Sequence, residues 1–305
     1  MRKSYSKFWR IARRLQKEQL QKTSEKSYEF SDRDLFELDI GRRGGGFFLG
    51  FYSKEGIILA LEKYGVFSLL KQKGYPDIYT DINTQDPYKH RIAFYRKAKS
   101  KKNLIIEMVL RKDFFELNMP FTCKYNGQKF AALVIDWLLF QNIEQDFTLD
   151  RPRLPGQRFP GLGLSGVVLE LLLIICWRLN LDGIINVPEH YHNAYLYAKM
   201  FRYLDPKIEA KLIALQKTFK KMPLAKLTWG IEWNCVRDLN TNQPLVWFAQ
   251  EQILPMHKEL QKIFKSNEYK NSVQKHISDY RFRFDEDKFA ACREKLLDRN
   301  ADKCI

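Results

Sequence analysis

Apolar residues recur along this chain with two different periods, and the change from one to the other organises it. Over residues 1–26, Phe8, Ile11 and Leu15, with Trp9 beside them, stand at helical spacing among charged residues, which predicts an amphipathic helix. A second helix is predicted from Ser53, a good capping residue, with Glu55 in its first turn. Ile57, Leu61, Tyr64 and Phe67 or Ser68 line one side of it, Gly74 ends it, and Pro76 breaks the chain. From Tyr88 the pattern shifts to strands, 91–95, 104–110 and 130–140, separated by Lys- and Asn-rich or Gly-containing turns, and three strands in succession suggest a meander. The last two runs are nearly continuous in apolar residues, as expected of interior strands covered on both faces. Each carries one carboxylate, Glu107 and Asp136. A carboxylate on such a strand needs a partner: an arginine is the ordinary one, and a catalytic role is the sharper alternative.

Residues 141–160 are polar and hold Pro152, Pro155 and Pro160, so they are predicted to travel as a loop. An apolar helix follows over 163–180, through Val167, Val168, Leu171, Leu172, Ile174 and Ile175, and must pack inside against a sheet. Asp182 and Gly183 end it, and 184–187 reads as a short strand. Strand, loop, helix and strand make a crossover unit, expected to be right-handed with its strands parallel. Pro188 then introduces an aromatic-rich helix over 190–203, Pro206 stops it, and a basic helix covers 207–221. Residues 227–236 and 244–254 read as two strands of a hairpin turning at 238–242, and polar helices follow from Met256.

Composition adds a core and a charge. A 305-residue chain with 45% hydrophobic and 14% aromatic residues can bury a sizeable interior. Fifty-two Lys and Arg against 36 Asp and Glu leave a formal charge of +16, which favours an anionic partner: nucleic acid, an anionic membrane surface or a phosphorylated small molecule. Residues 1–26 hold nine basic and two acidic residues, so the first helix either docks with its charged face in water or contacts such a partner. Five cysteines without paired spacing indicate neither zinc nor a disulfide framework, and a cytoplasmic location is expected. The N-terminus has no apolar signal core. The most hydrophobic run, 167–177, is short and carries Glu170, so no transmembrane segment is expected.

The candidate chemistry gathers at Leu154-Pro-Gly-Gln-Arg-Phe-Pro-Gly-Leu-Gly-Leu-Ser-Gly166, where glycines stand at the mouth of the longest apolar helix. Glycine admits close backbone approach, and a helix start offers unpaired N–H groups and the positive end of the dipole, so the stretch reads as an anion cradle. Gly161 to Gly166 satisfies the dinucleotide pattern G-x-G-x-x-G, but that fingerprint needs a strand leading directly into its first glycine, and here the approach is proline-rich loop. Tyr195 and Lys199 likewise form a Tyr-x-x-x-Lys pair at the wrong distance from their glycines for a short-chain dehydrogenase. A second glycine run, Asp39 to Gly46, reads as a turn or as a further cradle. His190 and His192, two apart, diverge on a helix, which argues against a metal pair. Glu189, His190 and Asn193 read as helix caps or as part of an acceptor pocket, capping being the simpler role.

The same residues also read Arg158-Phe-Pro-Gly161-Leu-Gly163, which resembles the [Gln/Arg]-x-x-Gly-x-[Gly/Ala] pyrophosphate loop of the GNAT acyltransferase superfamily. Leu196-Tyr197-Ala-Lys199 resembles that family's Leu-Tyr-x-Lys element. The order of elements over 88–254 agrees. The chain departs from the pattern at Pro160, at Phe201-Arg202 in place of Gly-Phe, and in the long loop before the cradle. The resemblance implies an α+β fold, a mixed, largely antiparallel central sheet flanked by helices. It places an acyltransferase domain over 88–254, and the rest of the chain reads as the basic helix 1–30, a helical elaboration 31–87 and a helical segment 255–305. It also implies transfer of an acyl group from acetyl-CoA or another acyl-CoA to an amine acceptor. Arg158, Phe159, Gly161, Leu162, Gly163 and Leu164 would hold the cofactor's diphosphate, Tyr197 would protonate the departing thiolate, and Glu107 or Asp136 would deprotonate the amine. The alternative is a catalytically inactive module of the same fold, binding nucleic acid or an acidic protein through its basic surface.

Overall fold

The protein, seen in a computed structural model that describes residues 6–23 and 46–293, is an α+β chain built on a largely antiparallel seven-stranded sheet flanked by helices. Its strands are β1 (Ile78–Asn83), β2 (His90–Arg96), β3 (Leu104–Glu116), β4 (Lys129–Phe140), β5 (Gly183–Asn186), β6 (Arg202–Tyr203) and β8 (Gln252–Pro255), in the order β1-β2-β3-β4-β5-β8-β6. A separate two-stranded ribbon pairs β7 (Val236–Asp238) with β9 (Phe282–Phe284). Contacts divide the chain into two units. The first comprises Met1–Lys112, Leu133–Gln141 and Leu162–Asn180; the second comprises Asp113–Ala132, Asn142–Gly161 and Leu181–Ile305. No described helix is long and apolar enough to cross a membrane.

The first unit begins with α1 (Ser6–Arg14) and α2 (Lys17–Gln21). The amphipathic face predicted for this stretch is docked: Phe8, Ala12 and Leu15 are buried, and Phe8 meets Tyr64 edge-on at 5.8 Å. Ser53 caps α3 (Lys54–Tyr64) through the Gly56 N–H, as expected. Its hydroxyl also reaches back to the carbonyl of Lys22, 2.6 Å away, so the cap ties α2 to α3. Gly56 sits where the two helices touch: a Cβ there would stand 2.0 Å from the Leu20 carbonyl oxygen. The single helix expected from Ser53 to Gly74 is two, because Gly65 adopts φ +75 and closes α3 before α4 (Val66–Gln72) begins. The strand β1 falls in a stretch that sequence reasoning read as helical elaboration. Its Ile-Tyr-Thr-Asp-Ile-Asn run alternates weakly because it is the sheet's outer strand, paired only with β2.

Helix α5 (Ser165–Arg178) covers this unit's core. Arg178, in its last turn, donates to the carbonyls of Ala12 and Leu15 and fastens the end of α1 in place. Glu170, midway along the helix, is 3% exposed, and neither carboxylate oxygen has a hydrogen-bond partner among the described residues. Burial alone pushes this carboxyl up to about 7.

In the second unit, β4 and β5 begin side by side. The Asp182 N–H donates to the Ala131 carbonyl at 2.7 Å, and the Asp182 carboxylate accepts the Ala131 N–H at 2.8 Å. The helix predicted over 190–203 is shorter, α6 (Tyr191–Tyr197), because Arg202 and Tyr203 leave it to pair with β8. Pro206 opens α7 (Pro206–Thr218), capped by Asp205. Of the hairpin predicted over 227–254 only the turn at 238–242 forms, where the Asp238 N–H donates to the Gln243 carbonyl at 3.0 Å, the Leu245 N–H donates to the Val236 carbonyl at 2.8 Å and Arg237 bridges Pro244 antiparallel. Residues Leu224–Glu232 are the helix α8, where Trp229 stacks on Trp233 at 4.9 Å, four residues on. Buried neighbours on several sides erase the periodicity that would tell helix from strand. The two observed strands of that region, β7 and β8, pair with β9 and with β5 and β6 instead of with each other. Helices α9 (Lys258–Lys265), α10 (Asn267–Ile277) and α11 (Glu286–Cys292) complete the unit.

Two outcomes follow for stability. Gly56→Ala should lower the free energy of unfolding by about 1–3 kcal/mol, since the added methyl meets backbone that has to move, and a shifted urea midpoint would register it. For Glu170 the folded-state pKa is raised above its ordinary 4.5, so its contribution is fully present below that value and is lost as pH rises through about 7. Glu170→Gln should therefore remove about 3 kcal/mol of destabilisation at pH 8 and leave stability at pH 4 little changed, measured by urea unfolding at both values.

Candidate functional site

The cradle motif divides between the two units: Arg158, Phe159 and Gly161 lie in the second, Leu162, Gly163 and Leu164 in the first. In the second unit the approach is a fixed loop. Leu154 to Gln157 form a tight turn, with the Gln157 N–H donating to the Leu154 carbonyl at 3.1 Å and Gly156 at φ +75. Arg153 anchors it. Its side chain is 2% exposed and donates to the Gln157 carbonyl, while its own carbonyl accepts the Trp229 indole N–H at 2.6 Å. Pro160, which lacks a donor for an anion, has another use: its carbonyl accepts the Asn142 N–H at 2.7 Å and pins the end of the loop. Arg158 is exposed and Phe159 half-buried.

In the first unit, the Leu162 N–H donates to the Phe140 carbonyl at 3.3 Å, and Leu162 and Leu164 turn their side chains inward, 2% and 6% exposed. Between them Gly163 is exposed with φ +74, a conformation that a residue with a Cβ adopts only under strain. Leu164 is the N-cap of the fourteen-residue α5, so the first-turn N–H groups of that helix open beside the glycine. The Lys73 ammonium, from the end of α4, lies 3.6 Å from where a Cβ of Gly163 would stand. Sequence reasoning missed Lys73, which lies 90 residues earlier and carries no motif; its place follows only once α4 is folded.

Leu164 and Phe140 also border an apolar cavity of about 90 Å³, lined from α3, α4, α5 and the strands, with Arg178 at its edge. An apolar core cavity of roughly 150 Å³ admits benzene, and this one is smaller.

The two carboxylates named as bases stand in separate ion-pair groups within the first unit. Glu107 accepts from Arg91 Nε at 2.5 Å, and the same guanidinium binds Asp81 at 2.8 Å and the Tyr95 hydroxyl at 2.7 Å. Asp136 accepts from Arg111 Nε at 3.1 Å and lies 3.7 Å from the Lys89 ammonium. Both strands are interior in sheet order, as expected, but neither is covered on both faces at these positions: Glu107 is half-buried and Asp136 exposed. The arginine pairing anticipated from the sequence is present at each.

In the second unit Tyr197 is half-buried on α6, with its ring 5.6 Å from Phe201, and burial raises its phenol above the ordinary value. His190 occupies the N-cap position of α6 but makes no side-chain cap hydrogen bond, contrary to the capping role. Its Nδ1 instead meets Glu232 Oε1 on α8 at 2.9 Å, because an imidazole facing a carboxylate gains more than one facing a neutral amide. The rings of His190 and His192 stack, 12° from parallel, rather than diverging, since His190 precedes the helix. Burial first, and then the neighbouring His190, push buried His192 down to about 3, so it is neutral at any physiological pH. The residues around Asp39 lie outside the described part of the chain.

A row of buried polar side chains also escaped the sequence reading. Asn186 on β5 pairs directly with Gln252 on β8, which pairs with Tyr203 on β6, so all three project from one face of the sheet, 4%, 0% and 0% exposed. Both carboxamides and the Tyr203 hydroxyl lack partners among the described residues. A strand of four residues and another of two give no alternation from which such a face could be read.

No protein-family model, curated protein or solved structure matches this chain.

Proposed function

We propose that the chain transfers an acyl group from an acyl-coenzyme A thioester, acetyl-coenzyme A first among them, directly to an amine. The observation that carries the reading is Gly163: exposed, at φ +74, at the N-terminus of a long apolar helix, with the Lys73 ammonium beside it. A diphosphate is recognised by that chemistry, since backbone N–H groups and the helix dipole supply fixed partial charge, a lysine supplies a full one, and the missing side chain leaves room. The thioester would supply the activated carbonyl; the residues of the chain bind the diphosphate and move protons.

The order of elements supports a GNAT-like fold. An antiparallel run from β1 to β3, then β4, leads through the proline loop into the cradle and α5, and β5 lies next to β4. Arg158, Phe159 and Gly161 enter only through the resemblance. Tyr197 enters through the resemblance and through its burial, which keeps the phenol protonated at neutral pH, as a proton donor to a thiolate must be. Glu107 and Asp136 act as bases in this reading only if their ion pairs with Arg91 and Arg111 open. That engagement is the specific observation favouring the second reading, a non-catalytic module of the same fold that binds an anionic partner.

Calorimetric titration separates the two. Acetyl-coenzyme A should bind with micromolar affinity; no binding up to millimolar concentration sinks the enzyme reading, and binding without turnover on any amine panel leaves the module. Gly163→Val should abolish coenzyme binding, and Lys73→Ala should weaken it about tenfold, equivalent to roughly 1.4 kcal/mol, with a shallower dependence on salt. Tyr197→Phe should slow turnover at least tenfold while the dissociation constant for the coenzyme stays as it was; unchanged turnover removes Tyr197 from the reaction.

A further inference from the structure

The second unit holds a larger concavity that the acyl-transfer reading does not use. It is a cavity of about 490 Å³ walled by α7, α9 and α10, within the size range of sites for small organic ligands. Its floor is apolar: Phe264 and Val273 are buried, and Ile213 is half-buried. Its polar lining is unbalanced, with Arg202, Lys217, Lys265 and Lys270 against a single carboxylate, Glu209.

That carboxylate is already engaged. Glu209 is 5% exposed, accepts the Tyr203 N–H at 2.9 Å and lies 3.8 Å from Arg202 Nε. The Arg202 guanidinium is held from behind, donating through one nitrogen to the carbonyls of Ala198 and Phe201, so it is fixed in place before any ligand arrives. Lys217, Lys265 and Lys270 are exposed and have no carboxylate partner among the described residues. They come from three different helices and converge on one concave surface.

We propose that this cavity is a binding site for a small organic anion, a compact apolar body bearing one carboxylate or phosphate group. The apolar floor takes the body and the cations take the charge. A neutral analogue forfeits the electrostatic part, and a cationic one meets repulsion from the three lysines that have no carboxylate partner among the described residues. A nucleic acid is a poorer match, because the cations gather around one open hollow with an apolar floor and do not form a stripe that would follow a phosphate backbone.

The test is calorimetric titration of the full chain with four ligands of one shape: 1-naphthyl phosphate, 1-naphthoate, 1-naphthol and 1-naphthylmethylammonium. One-to-one binding of the phosphate or the carboxylate is expected, with the naphthol at least tenfold weaker and the ammonium undetectable. Whichever anion binds more tightly identifies the acidic group. The double substitution Lys217→Glu with Lys270→Glu lies at exposed positions and should leave the thermal unfolding midpoint in place while weakening the anion at least tenfold. Val273→Trp, which fills the floor, should do the same by a different route. Gly163→Val should leave the affinity unchanged; loss of binding in that variant would place the anion at the cradle and overturn the assignment. Equal binding of all four compounds would overturn it too, as would indifference to the charge reversal, or capture of an acidic peptide with no binding of either naphthyl anion.

Discussion

Helix α5 is subject to two demands that pull in opposite directions, and much of the first unit follows from them. Along its length it faces buried neighbours, so Val168, Leu172, Ile174 and Cys176 are all removed from water. Its first turn, in contrast, has to open at the surface, because the N–H groups there have no acceptor within the helix. Gly163 resolves the conflict. By taking φ +74 it lets Leu162 and Leu164 both turn inward while the backbone between them stays exposed. At the far end, Arg178 meets the opposite need, carrying a charge to the carbonyls of Ala12 and Leu15 and binding α1 to the body of the unit. Glu170, between them, is the one position where the helix carries a group its surroundings do not satisfy.

What the sequence made legible was the order of elements and the position of α5, because long stretches with clear hydrophobic period and strong end signals are local properties. The three strands of the meander, the proline loop, α5 and β5 all lie where the apolar pattern puts them, to within a few residues or, for the far end of β3, six. The errors have a common cause. The helix α8 was read as a strand because Leu227, Trp229 and Ile231 are buried along with the residues between them, so the period vanishes. The strand β1 was missed because only one of its six residues is buried at the sheet's edge. β6 was absorbed into the preceding helix because two residues carry no period at all.

The candidate site was legible in one dimension and not in three. Its glycine was visible because φ > 0 at a helix mouth has a sequence signature. Lys73 was invisible because its approach to Gly163 depends on where α4 ends. The carboxylates show the converse. Read along the chain, Glu107 and Asp136 are isolated acids in apolar strands. In the fold each is one corner of a cross-strand ion-pair group, which explains its presence without any chemistry. Pro160 changes meaning in the same way, from a missing donor in the cradle to the acceptor that fixes the loop upon Asn142.

An excess of sixteen positive charges could be spread as solvating surface, and part of it is: the basic residues of α1 flank an apolar face that buries Phe8, Ala12 and Leu15. The two proposed anion sites depart from that pattern, and they do so by different physics. At Gly163 the attraction for an anion comes mainly from oriented backbone groups, to which Lys73 adds one charge, and such a site favours a ligand group with several oxygens able to accept from successive N–H donors. In the hollow between α7, α9 and α10 the field comes from side chains around an apolar floor, which favours a ligand whose charge is compact and whose remaining surface is greasy. The two proposed sites would therefore select different molecules even though both are positive. The net charge of the chain, which pointed only to some anion, thus includes the solvated face of a docked helix and the cations of the two anion sites proposed above.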